Sequence, residues 1–163
     1  SATAAKILKV NNEKIKKTME LFTGIKHRLQ FVKNIGGSSY FNDSKATNIS
    51  SVIAAVKSFN APIILLLGGK NKDSDFRLLL PHTKRHVKHI VSFGEAGGEI
   101  ATAIGDAVRL NIVSSLNQAV ASAHKIATPG DIVLMSPGCA SFDEFNNFED
   151  RGEKFIDMVN ELN

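Results

Sequence analysis

The sequence predicts an α/β protein: a Rossmann-like, open, mostly parallel sheet with helices on both faces and an antiparallel edge hairpin. Three observations predict it. Pro62 to Leu67, and Asp131 to Met135 apart from its Asp, are short apolar runs without polar alternation, as in strands buried on both faces. They alternate with segments of helical period, the rhythm of a sheet covered on both sides. Gly36-Gly37 separates two strand-like stretches and marks a tight turn between antiparallel neighbours.

The elements follow in order. Ala2 to Lys9 reads as the end of a helix. Asn12 caps a second helix, Glu13 to Phe22, with Ile15, Met19 and Phe22 on one face, and Gly24 stops it. Arg28 to Lys33 alternates as a strand does, and Ser39 to Asn42 returns beside it. Asn48 precedes a helix through Ser58. Pro62 to Leu67 is the strongest strand. Asp75 to Leu80 and Thr83 to Val87 are two short helices, and His89 to Phe93 is a strand. Gly98 to Ile104 is helical, Asn111 to Val113 is a short strand, and Ser114 caps a helix from Leu116 to Ala127. Asp131 to Met135 is the last buried strand, and Asp143 to Leu162 the closing helix. Residues 1–26 read as the tail of a preceding domain and residues 27–163 as the domain proper.

Composition bounds the function. With 163 residues, 43% of them apolar, the chain builds one core rather than two. No apolar run reaches the ~18 residues of a membrane span. The single cysteine, Cys139, excludes an internal disulfide and fits a reducing compartment. No secretory signal opens the chain, and the start in mid-helix without a Met suggests a piece of a longer protein. Residues 1 to 90 carry 16 basic and 5 acidic side chains, residues 91 to 163 carry 4 and 11. A basic half attracts anions. With no Trp, one Tyr and no recognition-helix or RNP-type pattern, nucleic acid is not the reading; solvated lysines such as Lys14, Lys16 and Lys17 account for much of the excess. No long apolar surface pattern is evident, so a monomer is expected.

In an open α/β sheet, ligands bind beyond the carboxyl ends of the strands, and three loops there have unusual composition. Asn42 to Asn48 (Asn-Asp-Ser-Lys-Ala-Thr-Asn) places an acid, a cation, two hydroxyls and two amides before a helix start, whose free N–H groups suit an anion. Lys45 adds a mobile charge, Thr47 a hydroxyl, and Asp43 an acceptor for a ribose hydroxyl or a magnesium-bound water. A plain cap needs only one such residue. Gly68 to Asp75 follows the strongest strand; its glycines admit close backbone approach and Lys70 and Lys72 suit a carboxylate or phosphate, although a polar turn explains it equally. No G-x-x-x-x-G-K-[ST] phosphate loop occurs in the chain. Ser136 to Phe148 leads small residues into a helix start, with Ser141 as cap and Glu144 at capping-box spacing; Phe145 and Phe148 are as well suited to core as to ligand contact.

Other features rank lower. No base accompanies Cys139, so a nucleophile is not favoured. His82, His86 and His89 have the spacing of a metal-binding face, but His89 opens a strand, and solvated histidines are the simpler account. Gly94 to Glu99 resembles a dinucleotide loop loosely without its full glycine pattern. Arg28, next to His27 before the first strand, can fork onto phosphate oxygens or pair with an acid.

Taken together, Phe22-Thr-Gly-Ile-Lys-His-Arg-Leu-Gln-Phe-Val, Asn42-Asp-Ser-Lys-Ala-Thr-Asn, Leu67-Gly-Gly with Lys72 and Asp75-Phe, and Ser136-Pro-Gly-Cys-Ala-Ser-Phe-Asp-Glu-Phe followed by Asn147-Phe-Glu-Asp-Arg-Gly resemble the Mur ligases. The resemblance covers nearly the whole chain, and its Asp-Ser-Lys-Ala-Thr-Asn segment resembles the D-glutamate-adding branch. It implies the third of three domains, preceded by the last helices of a central ATP-binding one. It implies a cytoplasmic ligase that uses ATP and Mg2+ to join D-glutamate to UDP-N-acetylmuramoyl-L-alanine for peptidoglycan, through an acyl phosphate that the D-glutamate amine attacks.

By matching motifs, the resemblance implies that Thr47, Lys72, Ser141 and Phe148 contact D-glutamate. Arg28 and Asp43 contact the nucleotide at phosphate and ribose, and Lys45 lies between the transferred phosphate and the amino acid, the catalytic position. It implies no metal ligand in this chain. Lys70-Asn-Lys-Asp departs from the family's usual Asp and Gly around its lysine, which leaves the choice between Lys70 and Lys72 open. Gly138 stands where Ala is common. The phosphate loop and the UDP-binding domain are absent, so the chain alone is expected to lack ligase activity and to hold no nucleotide firmly. A stand-alone module for an acidic metabolite or nucleotide, and a sister ligase with another amino acid, are the alternatives.

Overall fold

The computed structural model describes residues 2–22 and 24–163. Two short helices come first, α1 (Ala2–Ile7) and α2 (Asn12–Leu21), then the hairpin of β1 (Gln30–Ile35) and β2 (Ser38–Asn42). Strands and helices then alternate: α3 (Ile49–Lys57), β3 (Ile63–Gly68), α4 (Leu80–His86), β4 (Val87–Phe93), α5 (Gly97–Ile104), β5 (Leu110–Ile112), α6 (Leu116–Ile126), β6 (Ile132–Gly138) and α7 (Phe148–Asn160). The six strands form one sheet in the order β1-β2-β6-β3-β4-β5. Only β1 runs antiparallel to its neighbour; β2, β6, β3, β4 and β5 are mutually parallel. The predicted fold class is the observed one.

The apolar runs explain the layering. In β3, Ile63, Leu65 and Leu67 point to one face and Ile64 and Leu66 to the other, all inaccessible to solvent. The first face is covered by α3 and α5 through Ile49, Val52, Val56, Ile100 and Ile104, with Leu80 of α4 packed against them. The second is covered by α6 and α7 through Leu116, Val120, Phe155 and Val159. Each such side chain contributes about 1.5–3 kcal/mol relative to exposure. The helices change face because the chain steps outward from β2 through β3 and β4 to β5. It then returns to insert β6 between β2 and β3. That return is a topological switch point, where the loops after three adjacent strands open a crevice.

Several boundaries differ from the sequence reading, each for a physical reason. Asn11 rather than Asn12 caps α2, its side chain accepting from Glu13 N at 2.7 Å. Strand β1 starts at Gln30 rather than Arg28, because His27 and Leu29 have φ of 60° and 43° and break extended pairing. A bulge between Phe31 and Lys33 then displaces the alternation and leaves Phe31 exposed, edge-on to Phe41. Phe76–Leu79 is a 3-10 turn capped by Asp75 that runs straight into α4, and β4 begins at Val87. Ser115 rather than Ser114 caps α6, accepting from Gln118 N, while the Gln118 side chain reaches back to accept from the N–H of Ser114, the residue before the cap.

The largest difference lies at the end. No helix starts at Asp143, and Ser141 with Glu144 forms no capping box. Instead the Ser141 carbonyl accepts from both Glu144 N and Phe145 N, closing a turn, and α7 waits until Phe148, capped by Asn147 on Asp150 N at 2.7 Å. The Glu144 carboxylate caps a different helix: its oxygens accept from Leu116 N, at the start of α6, at 3.0 and 3.3 Å.

Helix α2 buries no residue, and Ile7, Leu8, Met19, Leu21 and Phe22 are exposed. Ile15, Met19 and Phe22 share a face as their spacing predicts. With Ala5 and Val10 they line an apolar groove of about 480 Å³ between α1 and α2. Among the described residues no helix is long and apolar enough to cross a membrane.

Candidate functional site at the carboxyl ends of β2, β6 and β3

The loop after β2 is tied down on every side. Asp43 N donates to Met135 O at 2.8 Å and Lys45 N to His27 O at 3.0 Å; Gly138 N donates to Ala46 O at 2.8 Å. The Asn42 amide donates to Gly152 O at 3.1 Å and lies 3.0 Å from His27 Nδ1, with both residues buried. Ser44 Oγ donates to Phe148 O at 2.7 Å. This backbone is held by β6 and α7, and it leaves the Lys45, Thr47 and Asn48 side chains exposed. Asn48 caps α3 on Ser51 N at 2.9 Å, so the cap needs neither Lys45 nor Thr47.

Asp43 is buried. Its carboxylate accepts from Ser136 Oγ at 2.8 Å and Leu29 N at 3.2 Å. Burial raises its pKa, opposed by those two hydrogen bonds and by the nearby Arg28 charge. A carboxylate has about four lone-pair sites, so Asp43 keeps acceptor capacity toward a hydroxyl. It shares with Arg28, Leu29, Ala46, Ser51 and Ala55 a cavity of about 150 Å³. Ligand pockets run about 300–1,000 Å³, so this cavity is too small to enclose a whole ligand of that kind. Arg28 itself is exposed.

Loops after β3 and β6 are laced together. Lys70 N donates to Ala140 O at 2.9 Å and Ala140 N to Lys70 O at 3.0 Å. Gly69 has φ of 120°, and a Cβ there would meet Ala140 O at 2.4 Å, so only glycine permits this approach. The Asn71 side chain accepts from Ser74 N at 2.9 Å and donates to Glu99 at 2.8 Å. The two lysines diverge. Lys70 Nζ pairs with Glu95 at 3.8 Å, on the loop after β4, while Lys72 Nζ lies 5.1 Å from the centre of the Phe142 ring. Ser141, next to Phe142, is buried.

Phe145 and Phe148 part company. Phe145 packs against the core on the α6 side, whereas Phe148 lies edge-on to His27 at 6.4 Å and takes the Lys45 ammonium 5.4 Å from its ring centre. The structure thus brings Lys45 to Phe148, Lys72 to the residue after Ser141, and Arg28 to Asp43. No hydrogen bond joins the Thr47 or Ser141 hydroxyls to the other candidates among the described residues.

Two residues escaped the sequence reading. Arg151 is completely buried, with Nε donating to Ser44 Oγ at 3.0 Å, Nη2 to Ser44 O at 2.9 Å, and Nη1 to Cys139 O and Ala140 O at 3.2 Å each. One guanidinium from α7 therefore fastens the loops after β2 and β6, and its partners are carbonyls and a hydroxyl rather than a carboxylate. Burial pulls its pKa down to about 10, still charged at neutral pH. His27 is the other: its carbonyl holds Lys45 N, its ring meets Asn42, Phe148 and, at 3.4 Å, Glu153. Its neighbour Arg28 drew attention by charge, but a lone His gives no periodic signal.

The remaining candidates are structural. Cys139 is buried and its thiol is pushed up to about 12 by desolvation. It should resist a thiol reagent in native buffer and react once denatured; fast native labelling would contradict this placement. His82 and His86 lie on α4 and His89 on β4, so no shared face forms, and among the described residues no group of three metal-ligating side chains exists. The histidines are partly buried rather than fully solvated, and His89 Nε2 is buried without a partner.

This is a mostly parallel α/β domain that carries Lys45, Thr47 and Lys72 exposed on the loops at the switch point. The chain belongs to the Mur ligase family: residues 27–139 match the model for "Mur ligase, glutamate ligase domain". It is 42% identical over 161 residues to the UDP-N-acetylmuramoylalanine--D-glutamate ligase of Latilactobacillus sakei, covering 98% of this chain and 36% of that protein. It is 46% identical over 138 residues to the ligase of the same name from Syntrophus aciditrophicus, covering 85% of this chain and 30% of that protein. The chain thus spans about a third of the length of the curated relatives it matches. Among solved structures, UDP-N-acetylmuramate-alanine ligase from Thermotoga maritima superposes with a TM-score of 0.65 at 9% identity, over 97% of this chain and 35% of that one. The bifunctional folylpolyglutamate synthase/dihydrofolate synthase from Yersinia pestis gives 0.64 at 17% identity, over 91% and 34%. These two carry the fold alone.

Proposed function

We propose that this chain is the amino-acid-binding domain of an ATP-dependent, cytoplasmic ligase that joins D-glutamate to UDP-N-acetylmuramoyl-L-alanine in peptidoglycan synthesis. Residues 1–26 are the end of a preceding central domain and residues 27–163 the closing one. The observation that carries the reading is the crevice itself. Loops from β2, β6 and β3, fastened by Arg151 and the Lys70–Ala140 bridge, present Lys45 and Lys72 on aromatic rings beside Thr47 and Ser141.

D-glutamate has two carboxylates and one amine. Lys72, Thr47 and Ser141 suit the carboxylates and Phe148 the methylene chain. Lys45 suits the position between the amino acid and the transferred phosphate, where a fixed cation stabilises developing charge. Arg28 and Asp43 suit a phosphate and a ribose hydroxyl of ATP, and the small cavity they share supports an edge contact. In this reading magnesium is held by the nucleotide and by the remainder of the ligase. The family match that begins at residue 27 and the uncovered apolar groove between α1 and α2 support the division at 26.

The test is ADP release by the complete polypeptide with UDP-N-acetylmuramoyl-L-alanine and ATP. D-glutamate should support turnover, and L-glutamate, L-alanine and diaminopimelate should not. Turnover with diaminopimelate or L-alanine instead would assign a sister activity. The isolated 163-residue chain should release no ADP under the same conditions.

A further inference from the structure

Phe142 has no structural reason to be where it is. Both its neighbours face inward: Ser141 is buried, and the Asp143 carboxylate accepts from Glu95 N at 3.2 Å on the loop after β4. Between them the Phe142 ring is 59% exposed, one of the largest apolar surfaces of the domain. A ring that buries so little adds little to the core. What it touches is Lys72, whose ammonium lies 5.1 Å from the ring centre.

Lys72 makes no ion pair among the described residues, in contrast to Lys70, which is held by Glu95. Its loop offers no other anchor among the described residues: Asn71 spends its amide on Ser74 and Glu99, and Asp73 makes no ion pair with Lys72. A free lysine samples many rotamers and binds a carboxylate at an entropic cost. The backbone beneath Phe142, by contrast, is fixed by the Lys70–Ala140 bridge, by Asp143 and by Glu144.

We infer that Phe142 is a positioning residue for Lys72. Its ring face holds the ammonium over the crevice, already directed to a carboxylate of the acidic amino acid. This rests on the D-glutamate reading for the identity of the ligand. It also decides between the two lysines: Lys72 is the one poised for ligand and Lys70 the one committed to the loop.

The test is a double-mutant cycle in the complete polypeptide, with KM for D-glutamate and kcat measured separately. Phe142→Leu keeps the apolar bulk and removes the π face; it should raise KM about two- to fivefold, the scale of an exposed cation–π contact, with kcat and Tm little changed. Phe142→Tyr should restore the wild-type KM. In a Lys72→Met background Phe142→Leu should have no further effect on KM. Additive effects of the two substitutions, or a lowered Tm with unchanged KM, overturn the assignment. An independent readout needs no turnover: the ε-CH2 protons of 13C-labelled Lys72 should lie upfield by ring current and move downfield in Phe142→Leu, and their staying in place also overturns it. Failure of the wild type to turn over D-glutamate would instead remove the proposed function. The substrate half of this inference would fall with it, and the ring contact would be judged by the shift alone.

Discussion

Arg151→Ala should lower the unfolding free energy by roughly 3–5 kcal/mol, one of the largest losses available from a single side chain in this domain. The reason is the company the guanidinium keeps. Its partners are Ser44 Oγ, Ser44 O, Cys139 O and Ala140 O, all at 2.9–3.2 Å, around a side chain with no solvent exposure. Three of the four are backbone carbonyls, which no compensating substitution can replace. Truncation strands Ser44 O and Cys139 O, while Ala140 O keeps its bond from Lys70 N; each buried polar group left without a partner costs about 1–3 kcal/mol, less whatever water enters the vacated space.

A buried ion pair can often be exchanged for apolar residues without loss. That exchange works when both partners are replaced, and here one side is the main chain. Arg151→Met, which keeps much of the volume, should therefore recover little. Arg151→Lys should recover part, because a single ammonium cannot reach Ser44 on one side and Cys139 with Ala140 on the other. Urea unfolding of the four proteins measures this. Wild-type stability in Arg151→Met would show that the guanidinium acts by filling space, and the account of it as a fastener would fall.

How far such residues can be read from sequence depends on whether their partners are local. The strands and helices of the sheet were legible because apolar runs and helical period are local signals. The loops of the crevice were legible because Asn42 to Asn48 concentrates more polar groups than a cap requires. Arg151 was illegible because an arginine in an amphipathic helix is by default a solvated one, and its partners lie 11, 12 and 107 residues away.

The start of the last helix failed for a related reason. Ser141 with Glu144 and Asn147 with Asp150 both offer capping groups at the right spacing, and local chemistry does not rank them. What ranks them is tertiary: Leu116 N, at the head of α6, takes Glu144 away. The separation of Phe145 from Phe148 follows, since a helix from Asp143 would have placed both on one side. In the structure Phe145 precedes α7 and faces the core, while Phe148 opens α7 and faces Lys45.

Lys45→Met in the complete polypeptide should lower kcat by about 10²- to 10³-fold while leaving stability near wild type, under the proposed ligase function. The two halves of that prediction have separate grounds. Stability is spared because the Lys45 side chain is exposed and its only close partner among the described residues is the Phe148 ring at 5.4 Å, an exposed contact worth about 0.5–1 kcal/mol. Its backbone does the structural work, through Lys45 N on His27 O and the neighbouring Ala46 N on Asp43 O, and a substitution of the side chain keeps both bonds.

Catalysis is not spared, because the ammonium is carried on a backbone held from three directions, by His27, by β6 and through Ser44 by α7. The fixed backbone and the Phe148 ring restrict where the ammonium can reach, and a cation so placed stabilises negative charge that develops on a transferred phosphoryl group. The contrast with Lys72→Met separates the roles: under the proposed function Lys72 meets a substrate carboxylate rather than the transferred phosphate, so that variant should raise KM for D-glutamate with a smaller effect on kcat. A Lys45→Met enzyme whose kcat stays near wild type while its KM for D-glutamate rises would make Lys45 a second substrate clamp, and the phosphate side of the crevice would then rest on Arg28 alone.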